Sequence, residues 1–226
     1  SEEKIYNFMD QIGLEMDLIT FLNKFEFVKN QKITFGAFLL FTSGEPLITT
    51  IEIGRFSSET IIKDSITIRT DLLTEVNLII EIIRKHTNKG YVITGKPQRE
   101  ERWEYPMDAI REIVVNMIVH RDYQSPDDSI IKIFDDRIEF FNPGKLIDNL
   151  TIEQVTSGKY RSHLRNKQIA NIFKEAGIIE KYGTGIKRCI EAINDYGLLS
   201  PEFEETEGGF LVTLYKGDRN VTENVT

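Results

Sequence analysis

REIVVNMIVHRDY, residues 111–123, decides how this chain is read. Ile110, Ile113, Val114, Met117 and Ile118 recur at the three- and four-residue spacing of a core-facing helix. Pro106 suits the first turn of that helix, because its fixed φ and missing N–H cost nothing there. The spacing therefore predicts a helix from Pro106 to about His120. Asp108, Glu112, Asn116 and His120 lie four residues apart, just over one turn, and share another face. Such a strip is ordinarily the wet side of a helix. Two features argue against that here. Asn and His are poorer helix formers than the Lys, Glu, Gln and Arg that usually fill exposed faces. Val115 and Val119 also flank the strip and narrow it. A carboxylate one turn from an amide can orient and deprotonate water, while the amide oxygen is a hard ligand for Mg²⁺ held with substrate phosphates. Those are the needs of phosphoryl transfer to water.

Working outward, residues 4–30 mix apolar and charged residues at helical spacing, and TFGAFLLF (34–41) is apolar enough to be buried as helix or strand. LITTIEIGRF (47–56) alternates as a strand does, and residues 70–87 carry the helical stripe Leu72, Val76, Ile79, Ile80, Ile83. NKGYVITG reads as a turn and short strand, and KPQREERWEYP (96–106) as a boundary between two regions. SIIKIF and RIEFFN form two strands split at Asp135-Asp136, a hairpin turn. Helices at 165–177 and 185–197 each end in Gly, and EFEE and FLVTLY (202–205, 210–215) are the last strands. The polar end from 217 to 226 reads as a tail or the start of a linker. This order predicts an α/β fold: a two-layer α/β sandwich over 96–216, preceded by a smaller α+β region over 1–95.

Composition narrows the function. The 226 residues carry a net charge of −8, so general binding to DNA or anionic membrane is disfavoured. A single cysteine, Cys189, forbids an internal disulfide and suits a cytoplasmic protein. No apolar run approaches the ~18 residues of a membrane span, and no signal peptide opens the chain. The chain starts SEEK, without Met, as a piece of a longer protein would. His86, His120 and His163 lack the spacing of a zinc site. No P-loop is present, so the chain is no helicase motor, and HRD (120–122) without a Gly-rich loop or DFG is no kinase.

Two further stretches carry polarity that could serve a ligand. In YGTGIKR (182–188), Gly183, Thr184 and Gly185 precede a helix whose N–H groups can approach phosphate, although Gly before a helix is also common. Arg188 stands where a dinucleotide fingerprint needs its third glycine. GKYRSHLRNK (158–167) holds Lys159, Arg161, Arg165 and Lys167 without an acidic residue, either as a solvated loop or as a phosphate-binding lid.

EIVVN followed by glycine turns resembles the N box of the GHKL ATPases (gyrase, Hsp90, histidine kinase and MutL type). YPMDAIREIVVNMIVHRDY, RIEFFNPGKL, RNKQIANIFKEAGIIEKYGTGIKR and PEFEETEGGFLVTL resemble, in order, one branch of it. That branch is the ATPase-like domain of proteins labelled RecG-like helicases or transcriptional regulators. ITFGAFLLF and the strand ending GRF resemble the later part of a Schlafen/AlbA-type domain. The resemblance implies ATP with Mg²⁺ as ligand, Glu112 as general base and Asn116 as the Mg²⁺ ligand. Asn142 and Gly144 of NPG stand where the family has Asp-x-Gly, whose Asp accepts from the adenine amino group; an ordinary turn is the other reading. A neutral amide gives a weaker bond than a carboxylate. Arg165 and Asn166 are the lid residues expected near the γ-phosphate, and Gly183, Thr184 and Gly185 form the second glycine box. ATP or ADP would thus be the small-molecule partner. DNA contact through the N-terminal region and a homodimer are further expectations. Three functions stay open: a slow ATPase, a nucleotide sensor without turnover, and a dimerisation scaffold.

Overall fold

The computed structural model describes residues 1–92, 100–147, 150–158, 164–179 and 185–217. It opens with helices α1 (Glu2–Gln11) and α2 (Leu18–Lys24), then a two-strand ladder of β1 (Val28–Lys29) and β2 (Lys32–Ile33). Helix α3 (Phe35–Phe41) follows. TFGAFLLF is thus a helix, and its start explains why: the Thr34 hydroxyl caps it by accepting from the Ala37 N–H. Ala37, Leu39, Leu40 and Phe41 are buried, while Phe35 and Phe38 stay exposed.

Strands β3 (Ile51–Ser58) and β4 (Ile61–Ile68) form an antiparallel pair, irregular at Arg55–Ser58. Helix α4 (Leu72–His86) starts at the Asp71 carboxylate, which accepts from the Thr74 N–H, and ends in the basic Arg84, Lys85 and His86. Both ends complement the helix dipole. β5 (Lys89–Val92) pairs with β6 (Glu100–Trp103). Helix α5 (Met107–His120) begins directly after Pro106 and buries Ile110, Ile113, Val114, Met117 and Ile118. β7 (Ser129–Ile133) and β8 (Arg137–Pro143) make the expected hairpin, closed by Phe134 N–H to Arg137 O around Asp135-Asp136. Then come α6 (Ile152–Ser157), α7 (Lys167–Glu175), α8 (Gly185–Asp195), β9 (Glu202–Glu205) and β10 (Gly209–Tyr215).

Six strands join in one sheet, in the order β4-β3-β7-β8-β10-β9. Every pairing in it is antiparallel except β3 with β7. The fold is therefore mixed α/β, with helices packed on the sheet. Along β7 and β8 alternate residues, Ile131, Ile133, Ile138 and Phe140, are buried beneath them. Lys132, Glu139, Phe141 and Leu211 line a shallow depression on the other face.

The strands from residues 51–68 complete the sheet begun by β7, so the sheet spans the stretch at 96–106 that divides the sequence by composition. Most of the buried apolar residues likewise form one cluster, from Ile5 to Leu214. A polar seam reinforces this junction. Arg121, just past α5, donates from its two terminal nitrogens to Thr50 O at 2.9 Å and Asp127 O at 3.2 Å. Glu75 of α4 is buried beside it, and Tyr123 donates to Ile118 O at 2.9 Å. Burial pushes the Glu75 carboxyl well above its ordinary range, although the Arg121 charge opposes this.

Candidate nucleotide site

The strip on α5 opens into a cleft of about 110 Å³ between that helix, the sheet and the segment leading to α7. Asn116 and His120 come from α5, Asn142 from the end of β8, Gly144 and Lys145 from the turn after it, and Arg165 from the approach to α7. Ile113, Met117, Phe140, Leu146, Ile147, Leu150, Ile186, Phe210 and Val212 supply the apolar walls. Apolar walls with a few convergent polar groups are the usual make-up of a small-molecule site.

The cleft has two polar ends. Glu112 and His120 are eight residues apart on α5, about 12 Å along its axis. At the first end, the Asn116 Nδ2 donates at 2.7 Å to both the Glu112 backbone O and its Oε1. With its N–H groups spent on Glu112, Asn116 has only Oδ1 left for a ligand. The Glu112 carboxylate also packs on Gly185, the first residue of α8: a Cβ there would lie 1.7 Å from Oε1. A side chain at 185 would displace the Glu112 carboxylate. Cys189, one turn further along α8, is buried, and burial together with the Glu112 charge pushes its thiol up to about 12.

At the second end, Gly144 adopts φ +102°, and a Cβ on it would meet Asp122 at 2.8 Å. Arg165 is held there by Asp122 at 3.4 Å and by the Lys145 carbonyl, close to Gly144 rather than to Glu112. Burial, and then the Arg165 charge, push the His120 imidazole down to about 4, so at neutral pH it faces the cleft uncharged. Asn142 is buried, and its Oδ1 accepts from the Ser129 hydroxyl at 2.9 Å.

The structure thus brings Asn116, Asn142, Gly144 and Arg165 into one cleft, with Glu112 and Gly185 behind Asn116. It places Asn166 elsewhere. That side chain donates to Val119 O at 2.9 Å and Arg121 O at 2.8 Å, closing the free carbonyls at the end of α5. Asn166 thus caps α5 and does not line the cleft. Arg165, expected near the γ-phosphate, lies at the opposite end from Glu112, beside Gly144. Gly183, Thr184, Lys159 and Arg161 lie outside the described residues. His120 lines the cleft, and Ser129 bonds Asn142 behind it; neither had a role assigned from sequence. His120 shares the four-residue spacing of Glu112 and Asn116, which was the available signal. Ser129 had none, because its partner comes from the neighbouring strand. Among the described residues, no three His, Cys, Asp or Glu side chains cluster as a metal site. An Mg²⁺ here would have to share one protein ligand with substrate phosphates, a mode Mg²⁺ commonly adopts.

Against known proteins, residues 128–214 match the family described as "Putative ATP-dependent DNA helicase recG C-terminal". This stretch is ATPase-like. It contains Asn142, Gly144, Arg165 and Gly185, whereas Glu112 and Asn116 precede it. Among solved structures, the DIP2311 protein from Corynebacterium diphtheriae shares the fold, with a TM-score of 0.76 at 23% identity. The match covers 90% of this chain and 42% of that one, so the chain spans less than half of its neighbour's length. No curated protein matches. Among the described residues, no helix is long and apolar enough to cross a membrane.

Proposed function

We propose that the cleft binds ATP with Mg²⁺, hydrolyses it slowly, and serves as the regulatory domain of a transcriptional regulator. The observation that carries this reading is the single cleft shared by Asn116, Asn142 and Gly144, with Glu112 bonded to Asn116 and seated on the start of α8. The ATPase-like match over 128–214 supports it.

Phosphates would lie at the Glu112 end, where the first turn of α8 presents the positive end of its dipole. Mg²⁺ would screen their charge there, with Asn116 Oδ1 as its protein ligand. Asn116 Nδ2 holds the Glu112 side chain in one orientation. Glu112 keeps its second oxygen to take a proton from water, the step that makes water a competent nucleophile. The base would then fall at the Asn142 end, between apolar walls.

A sensor without turnover is the second reading, and one observation favours it: one Glu112 oxygen is already bonded to Asn116 and packed on Gly185. DNA contact through residues 1–95 and a homodimer belong to either reading as proposals.

Calorimetric titration with ATP, with and without Mg²⁺, followed by a phosphate-release assay, separates them. The expected result is Mg²⁺-dependent binding, turnover lost in Glu112→Ala by a factor of about 10²–10⁴, and weaker Mg²⁺-dependent binding in Asn116→Ala. Turnover unchanged by Glu112→Ala removes the base assignment. Binding without turnover selects the sensor, and no binding at all leaves a scaffold.

A further inference from the structure

Strands β1 and β2 join at Asn30 and Gln31, which both take left-handed backbone, φ +50° and +59°. Positive φ at both central residues is what the tightest hairpin turns need. Every residue from Val28 to Ile33 is exposed, so the hairpin stands in solvent. Its base is fixed. The Thr34 N–H donates to Phe27 O at 2.8 Å, and Gln168 of α7 donates from Nε2 to Glu26 O at 2.7 Å.

Lys29 and Lys32 are direct cross-strand partners on this hairpin. Like charges placed opposite one another are destabilising. Neither lysine has an acidic partner among the described residues. Residues 23–38 hold Lys24, Lys29 and Lys32 against one acid, Glu26, in a chain of net charge −8. Lys24 reaches Glu175 at 3.7 Å, which leaves the two hairpin lysines for an anionic partner. Helix α3 follows at once and turns two aromatic rings outward. Phe35 and Phe38 are 48% and 45% exposed, whereas Phe41 of the same helix is buried. The two exposed rings lie nearly parallel, at 20°, with centroids 6.4 Å apart. Lys32 and Phe35 are separated by at most about 10 Å of extended chain.

We infer that the β1–β2 hairpin and the Phe35–Phe38 face of α3 bind single-stranded nucleic acid, with phosphates on Lys29 and Lys32 and bases stacked on the two rings. Cationic groups along a backbone path beside exposed aromatic rings are the make-up of such surfaces. A duplex keeps its base faces stacked inside, so the rings select the single strand. An anionic membrane would use the same lysines, but a parallel setting of the rings suits flat bases. None of these residues lines the cleft, so single-strand binding stands apart from what the cleft holds.

Fluorescence anisotropy at low salt tests this, with labelled oligodeoxythymidylate, oligouridylate and a DNA duplex of the same length. At least one of the single strands should bind, and more tightly than the duplex; the preferred sugar separates DNA from RNA. Phe35→Ala and Phe38→Ala should each weaken single-strand binding by about fivefold or more. Lys29→Gln combined with Lys32→Gln should flatten the slope of log affinity against log salt by about 1.4, the share of two phosphates on a single strand. All four side chains are exposed, so these variants should keep the circular dichroism of the unaltered protein. No binding to either single strand overturns the proposal, as does tighter binding to the duplex, or an affinity that neither set of variants moves. Binding to phosphatidylserine vesicles with none to the oligonucleotides overturns it in favour of a membrane surface.

Discussion

Asn166 shows how one side chain changes meaning once its partners are seen. In the sequence it follows a basic run and invites a phosphate. In the structure its amide closes two carbonyls at the end of α5, from a residue 45–47 positions away. Asn166→Ala leaves those carbonyls without their donor and should cost about 1–3 kcal/mol. An unfolding free energy lowered by that amount in urea titration, with the affinity for ATP of the remaining folded protein unchanged, is the expected pair of results. A weakened affinity at unchanged stability would return Asn166 to the ligand. The placement of Asn116 and Gly144 along one cleft, with Glu112 behind Asn116, was legible because it rests on local rules, a helical repeat and a glycine turn. The Asn142 environment was only half legible. Its type announced a neutral amide, but the hydroxyl that orients it arrives by strand pairing.

At the scale of the element, α5 was legible almost to the residue, because a stripe of five apolar positions leaves little freedom. TFGAFLLF was not, since a short apolar run satisfies helix and strand alike and only the Thr34 cap decides. Strand β4 and the short α6 carry no strong signal of their own. The first three residues of β4, Ile61, Ile62 and Lys63, are all exposed, so its alternation is broken there. Helix α4 carries the least expected feature, the buried carboxyl of Glu75. Its raised pKa means that the folded chain keeps a proton which the unfolded chain has lost. The stability this gives is full below the ordinary value of 4.5 and is lost as pH rises through the folded value. Glu75→Gln keeps the shape and removes the titration. Its urea midpoint should therefore decline less than that of the unaltered protein between about pH 5 and about pH 8. An identical decline in both would place the pH dependence elsewhere.

On the scale of the whole molecule, the two compositional halves share a sheet and one apolar cluster. Composition could not show this. A parallel pairing such as β3 with β7 joins residues some 78 positions apart and leaves no local trace. A shared core predicts shared unfolding. Fluorescence of Trp103, the single tryptophan, and far-ultraviolet circular dichroism should report one coincident urea transition. Two separated transitions would show that the halves unfold as separate units.

The junction at the end of α5 also sets an order of events. Val119 and Arg121 are held by Asn166 from one side, and Arg121 holds Thr50 on the other. Contacts that span 45, 47 and 71 positions close long loops, and the chain entropy of closing them is lost before the contacts form. This junction, and the cleft beside it, are therefore expected to form late in folding. A ligand that recognises only the finished cleft should slow unfolding in stopped-flow measurements and leave the refolding rate as it was.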